Sequence, residues 1–173
     1  AKNLSGKELI EWKYQRYMVD FLNTSHSIDR NMGRLLDYLD AHHLAGNTIV
    51  IYMSDQGAYL GEHGWIDKSW MYEESFRTPM LMRYPGKIKP GTSYGQMILN
   101  LDLAPTLLEI SGVAVPEDMQ GESMVKLFDD KKKILHDAVY YHYYEPNHKV
   151  PPHLGIKTDR YKLIYFYDQL NSW

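Results

Sequence analysis

Between positions 55 and 68 the chain places a carboxylate, an amide, an imidazole and an ammonium: Asp55, Gln56, His63 and Lys68. Asp55 and Gln56 follow the apolar run TIVIYM directly, within SDQG, and both offer hard oxygen donors of the kind that Ca²⁺ or Mg²⁺ takes in preference to softer metals. Lys68 can hold an anionic sulfate or phosphate oxygen as a point charge, and His63 can donate to the same anion or protonate a leaving oxygen. Taken singly, the four read equally as a helix cap, a solvated amide and two surface groups. A calcium ion also wants about six to eight oxygens, so two donors require company from elsewhere.

The elements around these residues are those of a layered α/β protein. Residues 5 to about 45 read as helix, with Ser5 and Glu8 spaced as a capping box and Gly46 and Asn47 as the stop. The polar NTSHS inside it marks a kink or a solvated turn of one long helix. NTIVIYM has the continuous apolar character of a strand buried on both faces, as in a parallel sheet. TPMLMRYPG gives a second strand, and GTSYGQMILN a third extended segment. DLAPTLLEISG is a helix with Asp102 at its N-cap and Gly112 at its end. Ligands in open α/β sheets gather beyond the carboxyl ends of the strands, which is where Asp55 and Gln56 fall. VPEDMQGESMVKLFDDKKK turns polar like a linker, and the aromatic residues from Ala138 to Tyr167 read as a small antiparallel sheet. His142, His148 and His153 within it could line a sugar pocket or belong to an ordinary tyrosine-rich sheet surface.

Composition excludes several classes. A net charge of −3 disfavours an electrostatic nucleic-acid binder, and no apolar run approaches the length of a membrane span. The absence of cysteine removes disulfides, thiolate metal sites and a cysteine nucleophile from these residues.

The order of the segment carries more than its parts. Strand, SDQG, LGEHG, Lys68, YEES, Arg77-x-Pro79, strand and RYPG together resemble the sulfatases of the alkaline phosphatase superfamily. The likeness continues through NLDLAPTLLEISGVAVPEDMQGESMVKLF and GIKTDRYKLIYFY, and so covers nearly the whole chain. It implies an α/β/α sandwich, here residues 1–125, then a linker at 126–135 and a C-terminal subdomain opening at 136–173. By the same resemblance Asp55 and Gln56 match ligands of one divalent metal, usually calcium. Lys68 matches the lysine that holds the sulfate group, and His63 faces the substrate or supports its loop. Glu73, Glu74 and Arg77 match patterned positions that a charge network bracing the loop explains. The implied substrate is a sulfated sugar or an aryl sulfate, and the implied location periplasmic or secreted.

Sulfatases attack sulfur with a formylglycine made from Cys or Ser in a Cys/Ser-x-Pro-x-Arg segment, and no such segment occurs in these 173 residues. The paired aspartates of the family's first strand are absent too. The expectation is therefore the C-terminal half of a sulfatase, inactive by itself and partnered by the missing N-terminal half. Two alternatives stand beside it. One is phosphodiester or phosphonate hydrolysis on the same superfamily plan, and the other is a carbohydrate-binding remnant without catalysis.

Overall fold

The structure is a computed structural model that describes residues 3–145 and 150–167. Helix α1, Gly6–Ala41, runs unbroken through NTSHS. The Thr24 and Ser25 hydroxyls donate back to the carbonyls of Asp20 and Phe21, both at 2.9 Å, so the polar turn is absorbed into the helix. Ser5 sits at the N-cap in an extended conformation, but its side chain makes no capping bond, so the expected box with Glu8 does not form. The helix ends at His42, where His43 turns left-handed at φ 56°, before Gly46 and Asn47 enter a 3-10 turn. His42 Nδ1 lies 2.8 Å from the Tyr38 carbonyl.

Strand β1, Val50–Met53, pairs with a later strand that returns antiparallel to it, Met80–Arg83, in the register Val50↔Arg83 to Met53↔Met80. This corrects the expectation of a parallel strand buried on both faces. Tyr52 and Leu81 are cross-strand partners and both are exposed. A continuous apolar run encodes burial potential but not the direction of the neighbouring strand.

Between these two strands lie a short hairpin, β2 (Tyr59–Leu60) with β3 (Ile66–Asp67), and the one-turn helix α2, Glu73–Phe76; the returning strand is β4. The segment from Gly91 to Leu99, expected to be extended, forms no strand and leads into a 3-10 turn, Asn100–Asp102, and helix α3, Leu103–Ile110. Within the span expected as a linker runs α4, Val125–Asp129. Leu127 and Leu135 are buried there with Met124 against Met80, Ile98 and Leu103.

Asp102 anchors this region. It occupies the N-cap position of α3, but its carboxylate does not cap that helix. Fully buried, it accepts the Leu99 and Glu122 amides at 2.7 and 2.8 Å and meets His136 Nε2 at 2.8 Å. A buried carboxylate is tolerable only when its lone pairs are met in this way.

The C-terminal sheet, β5 (Ala138–Tyr143), β6 (His153–Thr158) and β7 (Lys162–Phe166), is antiparallel with β6 in the middle. Gly155 in β6 makes room for Met71, which is fully buried. A Cβ at 155 would stand 2.3 Å from Met71 Sδ and 2.4 Å from the Leu163 carbonyl oxygen. His153 is fully buried among Trp70, Tyr141, Tyr143 and Phe166. Its Nδ1–H donates to the Pro151 carbonyl at 2.8 Å, and its Nε2 has no partner among the described residues.

Two outcomes follow. Gly155→Ala should cost about 1–3 kcal/mol of stability through overpacking against a backbone oxygen that cannot withdraw. Thermal melting reads this as a Tm lower by several degrees, and an unchanged Tm would disprove the contact. For His153, desolvation holds the imidazole below its ordinary value of 6.5, against the opposing pull of the Pro151 carbonyl. The unfolded chain therefore binds a proton below pH 6.5 that the folded chain refuses, and stability falls as pH drops through that value toward the folded pKa. His153→Phe should flatten the decline of Tm between about pH 7 and about pH 5; an unaltered slope would show that His153 is not its source.

Candidate active site

The functional side chains predicted from sequence lie on the loop that joins β1 to α2, and its shape is set by groups that reach in from other elements. Asp55 follows β1 with its carboxylate exposed, touched among the described residues only by the Ser54 hydroxyl at 3.4 Å. The Asp55 carbonyl accepts the Asn100 side-chain amide at 2.7 Å, and the Ser54 hydroxyl donates to the Gln56 carbonyl at 2.8 Å. Both backbone contacts fix the turn while leaving the two side-chain oxygens uncommitted.

Gly57 then presses its backbone against α2. Its N–H donates to the Ser75 carbonyl at 2.8 Å, and a Cβ there would stand 2.1 Å from the Glu74 carbonyl oxygen. Only glycine fits this approach.

Lys68 sits between two non-glycine residues in the left-handed region, Asp67 at φ 81° and Ser69 at φ 91°. Ser69 is tied on both sides: its N–H donates to Ser75 Oγ at 2.9 Å, and its carbonyl accepts the Tyr141 hydroxyl at 3.0 Å. The Lys68 side chain is exposed and makes no hydrogen bond or ion pair among the described residues. Asp55–Gln56 and Lys68 are thus both hung from Ser75.

His63, left-handed at φ 58°, takes its place from Glu74, whose Oε1 lies 3.5 Å from its Nε2. Its half-exposed ring packs near Trp65 and Tyr72 at 5.5 and 5.3 Å between centroids, beside the stacked pair Trp65–Trp70 at 4.4 Å. His63 and Glu74 line an open groove of about 470 Å³ together with Lys157, Arg160 and Lys162 of the C-terminal hairpin.

Glu73 closes the loop against that sheet through ion pairs with Lys162 and, at 3.6 Å, Lys157. Lys162 also donates to the Met71 carbonyl at 2.8 Å. Desolvation pushes the Glu73 carboxyl up, but the hydrogen bond and charge of Lys162, with the charge of Lys157, outweigh it and hold the group below its ordinary value.

Neither His142 nor His153 joins these polar groups. His142 on β5 has its Nε2 3.1 Å from the Tyr167 hydroxyl, with its ring 3.7 Å from that of Tyr144. His153 lies in the core, not on a surface, and His148 falls outside the described residues. Sequence reasoning passed over Ser75, Asn100 and Tyr141. Each acts through a contact distant in the chain, and only the YEES pattern hinted at Ser75.

Asp55 and Gln56 supply two hard oxygens, a part of the shell that a divalent cation of the calcium type requires. Among the described residues no group of three or more His, Cys, Asp or Glu could hold a metal ion. No helix among them is long and apolar enough to cross a membrane.

Comparison with known proteins places this arrangement. A sulfatase family model matches residues 3–113, and a model of the C-terminal part of N-sulphoglucosamine sulphohydrolase matches residues 61–173. The N-acetylglucosamine-6-O-sulfatase of Bacteroides thetaiotaomicron is 48% identical over 176 residues, covering 99% of this chain and 32% of that protein. The extracellular sulfatase SULF-1 homolog of Drosophila melanogaster is 36% identical over 121 residues, 69% of this chain and 11% of its own length. A solved protein in complex with its substrate, D-glucosamine-2-N,6-O-disulfate, superposes with a TM-score of 0.93 at 47% identity, over 99% of this chain and 36% of that one. The chain therefore spans about a third or less of these relatives. With both family models matched across the loop that bears His63 and Lys68, the chain belongs to the sulfatase family.

Proposed function

We propose that these residues form the cation- and sulfate-binding wall of an enzyme that hydrolyses sulfate esters on a sugar. The observation that carries the reading is the common suspension of Asp55–Gln56 and Lys68 from Ser75, with their polar ends left free. Two hard oxygens and an ammonium on one framework match the needs of a sulfate monoester. Asp55 and Gln56 would hold a divalent cation of the calcium type, which when bound would supply positive charge to the sulfate oxygens. Lys68 donates to another of those oxygens, and in a site shielded from water that contact gains strength as charge builds in the transition state.

The reaction cleaves the ester S–O bond with water and yields the free alcohol and sulfate. The departing sugar oxygen must acquire a proton, and His63, oriented by Glu74, is the group of this loop that can hold one. The nucleophile, a formylglycine, and the further metal ligands come from outside these 173 residues, which lack a Cys/Ser-x-Pro-x-Arg segment. Residues 1–125 belong to the catalytic α/β unit and 136–173 to the C-terminal subdomain, with 126–135 between them.

A sulfated hexosamine is the substrate class we put forward, supported by one relative named an N-acetylglucosamine-6-O-sulfatase and by a solved structure in complex with D-glucosamine-2-N,6-O-disulfate. A periplasmic or secreted location accords with the extracellular relative.

The test is sulfate release from N-acetylglucosamine 6-sulfate by the complete sulfatase that contains this chain. Lys68→Ala should lower kcat/KM by about 10²–10³-fold, as loss of a transition-state donor does. Calcium chelation should abolish turnover, and added calcium should restore it. The 173 residues alone should release no sulfate. An activity indifferent to Lys68→Ala would overturn the reading.

A further inference from the structure

Ser75 touches both halves of the loop through different atoms. Its backbone carbonyl takes the Gly57 N–H, directly after the Asp55–Gln56 pair, and its hydroxyl takes the Ser69 N–H, directly after Lys68. The side chain is buried, so these contacts are shielded from competing water. The Ser69 contact also opposes a backbone cost. Left-handed conformations at non-glycine residues cost on the order of 1–3 kcal/mol and persist only where the surroundings dictate them. Here the dictating groups are Ser75 Oγ on the N–H of Ser69 and the Tyr141 hydroxyl on its carbonyl.

We propose that Ser75 is a positioning residue that sets the spacing between the Asp55–Gln56 pair and Lys68, so that both engage one sulfate ester. The inference rests on the sulfatase reading above and adds to it a residue that touches neither metal nor substrate. A sulfate group offers non-bridging oxygens at fixed separations. A cation site and an ammonium on separate stretches of loop match them only if the stretches share a frame. Ser75 is that frame, and its two arms are separable: a side-chain substitution removes the Oγ contact and leaves the carbonyl contact in place.

The separation gives the test. In the complete sulfatase, Ser75→Ala should free the turn around Lys68 while Gly57 stays tied. kcat should fall about 10–100-fold, since displacement of a reacting contact by about 1 Å costs on the order of 10². The calcium affinity, read by titration of the metal alone, should stay within about twofold, because the backbone arm survives. Two further variants make the route explicit. Adding Ser75→Ala to Lys68→Ala should cause no further loss, because the serine acts through the lysine. Adding Ser69→Gly to Ser75→Ala should recover most of the rate, because glycine adopts φ 91° without the hydroxyl to hold it. Should Ser75→Ala not fold, Ser75→Thr and Ser75→Val form an equally bulky pair of which only the first keeps the oxygen, and only that variant should be active.

Losses that multiply in the Ser75→Ala/Lys68→Ala enzyme overturn the proposal, as does a parallel collapse of calcium affinity and Tm in Ser75→Ala. A wild-type rate in Ser75→Ala beside an impaired Lys68→Ala sinks this inference alone. A complete protein that hydrolyses no sulfate ester, or ignores Lys68→Ala, sinks the sulfatase reading instead.

Discussion

The backbone around Lys68 is held in a shape that its own residues resist. His63, Asp67 and Ser69 all adopt positive φ without being glycine, which local sequence preferences disfavour. Such a segment keeps its form only through contacts made from outside: Asp67 is paired with Tyr59 across the hairpin, and His63 and Ser69 are met by side chains. Glu74 meets His63, Ser75 and Tyr141 grip Ser69, and Lys162 joins Glu73 and the Met71 carbonyl to the C-terminal sheet. The three-stranded sheet is therefore part of the site's scaffold. Met71 seated over Gly155 supplies the apolar share of the same attachment.

A second line of support reaches the other end of the loop from the core. Asp102 is enclosed and satisfied by the Leu99 and Glu122 amides and by His136, which locks the 3-10 turn at Asn100–Asp102 to residues 122–136. The fit at Gly121 is equally close, since a Cβ there would stand 2.0 Å from the Leu101 carbonyl oxygen. Asn100 is the first residue of this locked turn, and its amide holds the Asp55 carbonyl. The position of the buried carboxylate passes through two residues to the end of β1. Hydrogen bonds in a low-dielectric interior suit this purpose, because breaking one leaves an unpaired buried group.

The four polar residues of the loop, their order and the aromatic C-terminal sheet could be read from the sequence because they are local or fall at fixed spacing. The long first helix was equally plain, its hydroxyl-rich middle being compatible with helix through bonds to the preceding turn. What escaped was everything decided by partners distant in the chain. The apolar run of β1 carries no mark of an antiparallel neighbour. His153 sits where a sugar-facing histidine was expected, but Trp70 comes from eighty residues earlier and helps to bury it. Ser75 and Asn100 are short polar residues with no pattern to distinguish them, and their importance lies wholly in what they reach.

The distribution of satisfied and unsatisfied groups gives the strongest physical argument for where a ligand belongs. A folded chain pairs its buried polar groups because leaving them bare is costly. Ser75 and Asp102, both buried, obey that rule by bonds inside the protein. The Asp55 carboxylate, met by the Ser54 hydroxyl at 3.4 Å, and the Lys68 ammonium are exposed on a loop tied down from other elements. Opposite charges free to approach one another would form an ordinary surface pair, and here the backbone that carries each is tied to the same serine without their doing so. Rigid backbone beneath free charges is the arrangement that binding demands, since the ordering that a ligand would otherwise impose is already present in the fold.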